Sequence, residues 1–289
     1  MKLVRFDDNR LGVLQGDQVR DVTPILDALA PQAWPAPHGD ALIAALPDLL
    51  PRIAMARDGA PSVPLASVRV RSPVARPSKI IAAPVNYLLH REEALASAEI
   101  NYGMPVKTID ELGLFLKSNT SLVGPSDGVL HHLPDRRIDH EIELAVIIGR
   151  TARNVPRNDA LGYVAGYTIG LDMSVRGTED RSWRKSLDSF TVLGPALVTA
   201  DEIPNPDALD FKLSVNGETR QASNTRLLVF DVAKLICYAS ESYTLYPGDV
   251  ILTGTPEGVA PVEAGDVIAC WIEGIGDMRV AVHAPGVAA

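Results

Sequence analysis

The residues best suited to do chemistry are three carboxylates. The stretch His140-Glu141-Ile142-Glu143-Leu144-Ala145-Val146-Ile147-Ile148 reads as a strand, in which residues i and i+2 share a face. Glu141 and Glu143 then stand side by side at the head of an apolar run, while Ile142, Leu144, Val146 and Ile148 face the other way. Adjacent carboxylates repel, so something positive is expected between them. A second apolar run, Tyr163 to Leu171, ends in Asp172, which can supply a third oxygen. An all-oxygen set with no fixed His or Cys favours a hard cation, Mg²⁺ or Mn²⁺. The rival reading is a solvated sheet face that holds no ion, and from the strand alone that is the commoner outcome.

Other candidates are weaker by spacing. His131, His132 and His140 cluster before the strand but fit no zinc spacing, and are expected to be surface loop histidines. His90 and Glu93 fall at i and i+3 of a helix, where a carboxylate would fix the imidazole tautomer and raise its basicity for activating water. An ordinary exposed helix pair has the same spacing. Asp180 to Asp188 is a charged run of the kind that usually faces solvent. Beside a metal, its Lys185 would neutralise a substrate carboxylate or an oxyanion. Ile251-Leu252-Thr253-Gly254-Thr255-Pro256 is a strand entering a tight turn whose hydroxyls and N–H groups suit a carboxylate; alone it is only a turn.

The elements that must position these residues are mostly strands. Leu3–Phe6, Leu11–Leu14 and Gln18–Val22 are expected strands around turn residues, followed by short helices in Pro24–Ala30 and Gly39–Arg57 and a Pro-rich linker in Gly59–Ser78. Residues 1–70 read as a small N-terminal module without chemistry, and 71–289 as the catalytic domain. In the latter, Lys79–Ala83, Leu114–Leu116, Glu141–Ile148, Val267–Ile272 and Met278–Val282 are expected strands, and Asn216-Gly217 marks a type I′ hairpin. Asn86 is expected to cap a helix running towards Glu99, Asn101–Asp110 to be a mobile loop, and Val229–Ser240 to be helical. The expected class is mixed β with few helices, α+β rather than βαβ.

Of 289 residues, 46% are hydrophobic and 22% charged, enough apolar material for a sizeable core. The net charge of −9 argues against nucleic-acid binding, which needs a basic stripe, but not against a small anion in a locally basic pocket. No apolar run reaches the roughly 20 residues that span a bilayer, and Met1–Arg10 has no targeting pattern, so a cytoplasmic protein is expected. Cys237 and Cys270 sit in apolar stretches and read as free buried thiols.

Taken together, the pieces resemble the fumarylacetoacetate hydrolase family. The resemblance runs from about Lys79 to His283. It rests on Asn86-Tyr87 with His90 and Glu93, Leu114-Phe115-Leu116-Lys117, Glu141-x-Glu143-Leu144-Ala145, Asp172-Met173-Ser174-x-Arg176, Lys185-Ser186, Val215-Asn216-Gly217-Glu218, and Pro247 to Val259. It implies a β-roll catalytic domain assembled as a homodimer. Glu141, Glu143 and Asp172 match the family's Mg²⁺ or Mn²⁺ ligands, His90 and Glu93 its water-activating pair, Lys185 its catalytic lysine and Thr255 its carboxylate-binding threonine. Tyr87, Arg176 and Glu179 are further expected substrate contacts. The implied reaction is hydrolysis of a carbon–carbon bond in an acylpyruvate, with decarboxylation or isomerisation of an unsaturated 2-oxo dicarboxylate as the alternative, and a non-catalytic metal-binding protein as the third reading. Glu179 stands where decarboxylating members carry glutamine, which speaks against decarboxylation and leaves hydrolysis or isomerisation open; the His90–Glu93 pair, suited to placing a water, leans the expectation towards hydrolysis.

Overall fold

The apolar run after Glu141 forms the strand Ile142–Ile148, buried at every position. It is apolar on both faces because both are covered. Ile142, Leu144, Val146 and Ile148 enter a core shared with Ile169 and Leu171 of the next strand, with Leu213 and Ile268 of a second sheet, and with Leu235 and Ile236 of the helix Val232–Ser242. Ala145 and Ile147 enter another core, closed by Ile43, Leu46, Leu49 and Ile53 of the helix Ala41–Arg57. Each such side chain contributes about 1.5–3 kcal/mol when fully buried. Asp40 caps that helix by accepting from the amides of Leu42 and Ile43, and its second oxygen accepts from Ala75 and Arg76, tying the linker to the helix start.

The structure, a computed structural model, describes residues 1–32 and 34–286. Its largest sheet has 12 strands. The strand Ile142–Ile148 is flanked by Val164–Asp172 and Val250–Leu252. Beyond Val164–Asp172 lie Thr191–Thr199 and then Lys2–Phe6, Arg10–Gln15 and Gln18–Asp21, so the first strands of the chain extend the sheet that carries the carboxylates. Beyond Val250–Leu252 lie Ile80–Ala82, parallel to it, and Phe115–Lys117. A sheet of five strands packs over this one, and includes the hairpin Asp210–Val215 with Glu218–Asn224. Its turn residues Asn216 and Gly217 both have positive φ, as a type I′ turn requires. The mixed-β expectation with few helices holds.

Three local expectations change. Asn86 is not a helix cap: it is buried, donates to the carbonyls of Phe230 and Thr253, and accepts from the Phe230 amide, while the helix Leu88–Ala96 starts after Tyr87. That helix stops before Ser97, and Asn101–Asp110 is not all loop: short helical turns at Ala98–Asn101 and Ile109–Leu112 flank it. Glu141 lies just before its strand rather than in it.

Candidate active site

Sheet register brings the three acids together. Ile142 pairs with Leu171 and Glu143 with Gly170, and the Asp172 amide donates to the Glu141 carbonyl at 2.9 Å. Glu141, Glu143 and Asp172 therefore share one face of two neighbouring strands. Gly170 leaves room beside Glu143: a Cβ there would lie 2.6 Å from Leu252. All three side chains are buried, and one oxygen from each lies within 4.8 Å of the others. That is near the span a single cation bridges with oxygen bonds of about 2.1 Å.

Buried carboxylates need counter-charges, and the chain supplies several. Lys185 Nζ donates to Glu141 and to Asp172, each at 2.7 Å, and to the Ser174 hydroxyl. Arg176 donates to Asp139 at 2.7 Å and to Glu141 at 2.8 Å. Lys117, fully buried, holds Asp172 and the Phe190 carbonyl. Burial works to raise the Glu141 carboxyl, but Lys185 and Arg176 outweigh it and hold it far below the ordinary range. Glu143 has no such partner. Burial, then Asp172 and Glu141, push its carboxyl well above the ordinary value, against the nearby charge of Lys185 and a hydrogen bond from the Gly254 amide at 2.6 Å. Three acids crowded in this way, one of them held up by its neighbours, are the donor set of a hard divalent cation.

The same turn that meets Glu143 also sets the histidine. His90 is buried on the helix Leu88–Ala96, and its Nδ1 lies 3.0 Å from Glu93. The other Glu93 oxygen accepts from the Gly258 amide at 3.0 Å. With Nδ1 engaged, Nε2 is the nitrogen left for chemistry. Gly254 and Gly258 both have positive φ, and a Cβ on Gly258 would lie 2.1 Å from the Arg220 carbonyl.

His90, Glu141, Glu143, Asp172, Arg176, Lys185 and Thr255 all line one cavity of about 100 Å³. Glu93 stands behind His90. Tyr87 is not on the cavity wall: its ring is buried edge-on to Phe211. Glu179 is also off the wall, paired with Arg136 at 3.0 Å. Thr255 lines the cavity with its hydroxyl already committed, donating to the Ile142 carbonyl and accepting from Gln221, each at 2.8 Å. The zinc reading of the histidines fails, and of the three only His132 is partly exposed as expected. His131 and His140 are buried; His140 Nδ1 meets Gln221, and the only group of metal-holding acids, thiols and imidazoles among the described residues is the carboxylate triad. Both cysteines are free, Cys270 buried and Cys237 partly so.

The sequence reading gave Lys117 and Arg181 no role, yet one is a buried counter-ion and the other lines the cavity. The signal for Lys117 was present: a lysine closing the apolar run Leu114-Phe115-Leu116 is almost never buried without an acid.

Comparison with known proteins agrees with this geometry. Residues 79–283 match the family model described as fumarylacetoacetate (FAA) hydrolase C-terminal. The chain is 54% identical over 285 residues to maleylpyruvate hydrolase of Aquipseudomonas alcaligenes, covering 98% of this chain and 99% of that protein. The crystal structure of maleylpyruvate hydrolase from Sphingobium sp. SYK-6 in complex with manganese(II) ion and pyruvate is 44% identical, with a TM-score of 0.83, covering 98% of this chain and 99% of that one. A probable 2-hydroxyhepta-2,4-diene-1,7-dioate isomerase from Mycobacterium abscessus is 31% identical, with a TM-score of 0.79 and 99% of each chain covered. With its register, its buried acids and a family match over the whole catalytic region, this chain belongs to the fumarylacetoacetate hydrolase family.

Proposed function

We propose that this protein is a divalent-metal-dependent hydrolase that cleaves an acylpyruvate to pyruvate and a carboxylic acid. The observation that carries the proposal is that His90, oriented by Glu93, lines the same cavity as Glu141, Glu143 and Asp172. The similarity to maleylpyruvate hydrolases over nearly the full length supports it, and the isomerase-named neighbour shares less of the sequence.

Glu141, Glu143 and Asp172 would hold Mg²⁺ or Mn²⁺, the donor set and burial being those of a hard cation. When bound, the cation supplies Lewis-acid polarisation and a template for the 2-oxo acid end. His90 Nε2 takes a proton from water as the water oxygen adds to the distal carbonyl carbon. The bond between that carbon and the pyruvate methylene then breaks. Its electron pair stays with the pyruvate fragment and is protonated on carbon, so one water is consumed and two acids are formed. Lys185 has its three donors committed to Glu141, Asp172 and Ser174, so it acts chiefly as a fixed positive charge that steadies negative charge developing on the substrate. Arg176 holds Glu141 in place.

The proposal extends to a cytoplasmic homodimer with residues 1–70 as an N-terminal module and 71–289 as the catalytic domain. Exposed Leu88, Leu227 and Val229 supply apolar surface of the kind a partner subunit covers.

A pyruvate assay on maleylpyruvate and acetylpyruvate with Mg²⁺ or Mn²⁺, run beside CO₂ release from oxaloacetate, tests the reaction. Pyruvate formation lost with chelator and in Glu141→Ala, Glu143→Ala and Asp172→Ala is expected. Faster CO₂ release from oxaloacetate than pyruvate formation, or full activity in chelator, would overturn it.

A further inference from the structure

All but one of the acids around the cavity are matched by cations of the chain itself, Glu141 by Lys185 and Arg176, Asp172 by Lys117 and Lys185, and Asp139 by Arg137 and Arg176; Glu143 is the exception. Two more guanidinium groups line the cavity, from the short helix Arg181–Arg184. Arg184 is anchored, donating to the carbonyls of Glu179 at 2.7 Å and Val175 at 3.0 Å. Arg181 makes no side-chain hydrogen bond or ion pair among the described residues. Asp180 beside it is occupied by the Ser182 amide and hydroxyl, and Glu179 by Arg136. Burial pulls the Arg181 guanidinium below its ordinary range, and Glu141, the acid with the strongest influence on it, does not restore it. A partly buried cation without a partner is unfavourable unless a ligand brings the anion. The rest of the lining, which includes Ala94, Ile100, Met104, Val106 and Phe115, is largely apolar.

We propose that Arg181 is a specificity residue: its guanidinium receives the carboxylate at the far end of a diacid acylpyruvate. This rests on the acylpyruvate reading above and narrows it. An arginine suits the task because its fork meets both carboxylate oxygens at once, which a lysine cannot do. The anchored Arg184 keeps the helix that carries Arg181 in register with the loop before it and adds positive charge without competing for the ligand.

The test is a binding measurement that does not need turnover. Calorimetric affinities of the Mn²⁺-loaded protein would be compared for 2-oxoadipate, which ends in a carboxylate, and 2-oxohexanoate, which ends in a methyl group. The diacid is expected to bind more tightly. Arg181→Gln should shrink the ratio of the two affinities about 10- to 100-fold, the usual worth of a charge-assisted hydrogen-bonded pair. Arg181→Lys should keep part of the ratio, and it stands in if the glutamine variant fails to fold. A wild-type protein that does not distinguish the two ligands, or a ratio unchanged in both variants, would overturn the proposal. Turnover of maleylpyruvate and acetylpyruvate, measured separately, judges the hydrolase reading: loss of all cleavage with the ratio intact would reject that reading and leave the subsite standing.

Discussion

His90 and Glu93 divide one task. In the proposed reaction the imidazole would move the proton, and the carboxylate, fixed on its other side by the Gly258 amide, would hold the ring. His90→Ala should therefore lower turnover by about 10²-fold or more, the scale of a positioned acid–base group. Glu93→Gln should be milder, since an amide oxygen can still accept from Nδ1. Mn²⁺ affinity, read by calorimetry, should be nearly unchanged in both; a His90→Ala protein that loses Mn²⁺ would show that the histidine is a ligand. Glu143 carries a second prediction. Its carboxyl is held well above the ordinary value by burial and by Asp172 and Glu141, so above the ordinary carboxylate range it still keeps a proton that a cation must displace. Mn²⁺ affinity should rise with pH through that window, with proton release visible as a buffer-dependent heat. For the apoprotein the sign is the reverse. A carboxyl raised on folding gives its stability below the unfolded pKa and loses it as pH rises, so the thermal shift caused by Mn²⁺ should grow with pH. An affinity flat from about pH 5 to about pH 8 would contradict this account of the triad.

At the scale of elements, one turn after the strand Val250–Leu252 serves two parts of the site. Gly254 binds Glu143 through its amide, and Gly258 binds Glu93. Gly258→Ala has a positive φ to keep and a Cβ that would collide with the Arg220 carbonyl. It should cost about 1–3 kcal/mol of stability and lower kcat with little change in Mn²⁺ affinity, because the disturbed anchor is that of Glu93. A variant with unaltered kcat and melting temperature would show the turn to be tolerant. Much of this arrangement was legible in the sequence. Two glutamates at i and i+2 heading an apolar strand and an aspartate closing another are local patterns, and so is the Asn216-Gly217 hairpin. What was not legible depends on distant pairs. Gly258 is 165 positions from Glu93, and Lys117 is 55 from Asp172. Glu179 looked like a substrate contact from its place after Arg176, but Arg136, 43 positions away, draws it to the surface. Asn86 had the composition of a cap, yet tertiary hydrogen bonds to Phe230 and Thr253 claim its side chain.

Across the whole molecule, the net charge of −9 and the cationic side chains on the cavity wall have opposite signs. Local charge in a pocket can oppose the global sign, which suits a small anion. The strands of residues 1–21 continue the sheet that carries the triad, and Ile43, Leu46, Leu49 and Ile53 pack with Ala145 and Ile147 behind it; among the described residues no side chain of the N-terminal part lines the cavity. The proposed reaction turns on a water, held by His90, that attacks the distal carbonyl of an acylpyruvate. Turnover of maleylpyruvate by the Mn²⁺-loaded protein in ¹⁸O-labelled water measures that step directly by mass spectrometry of the products. The account predicts ¹⁸O in the carboxylate of the released acid, at the carbon that was the distal carbonyl, with the label lost in step with turnover in His90→Ala. Consumption of substrate with its mass conserved, or release of pyruvate with no label in the partner acid, would contradict it.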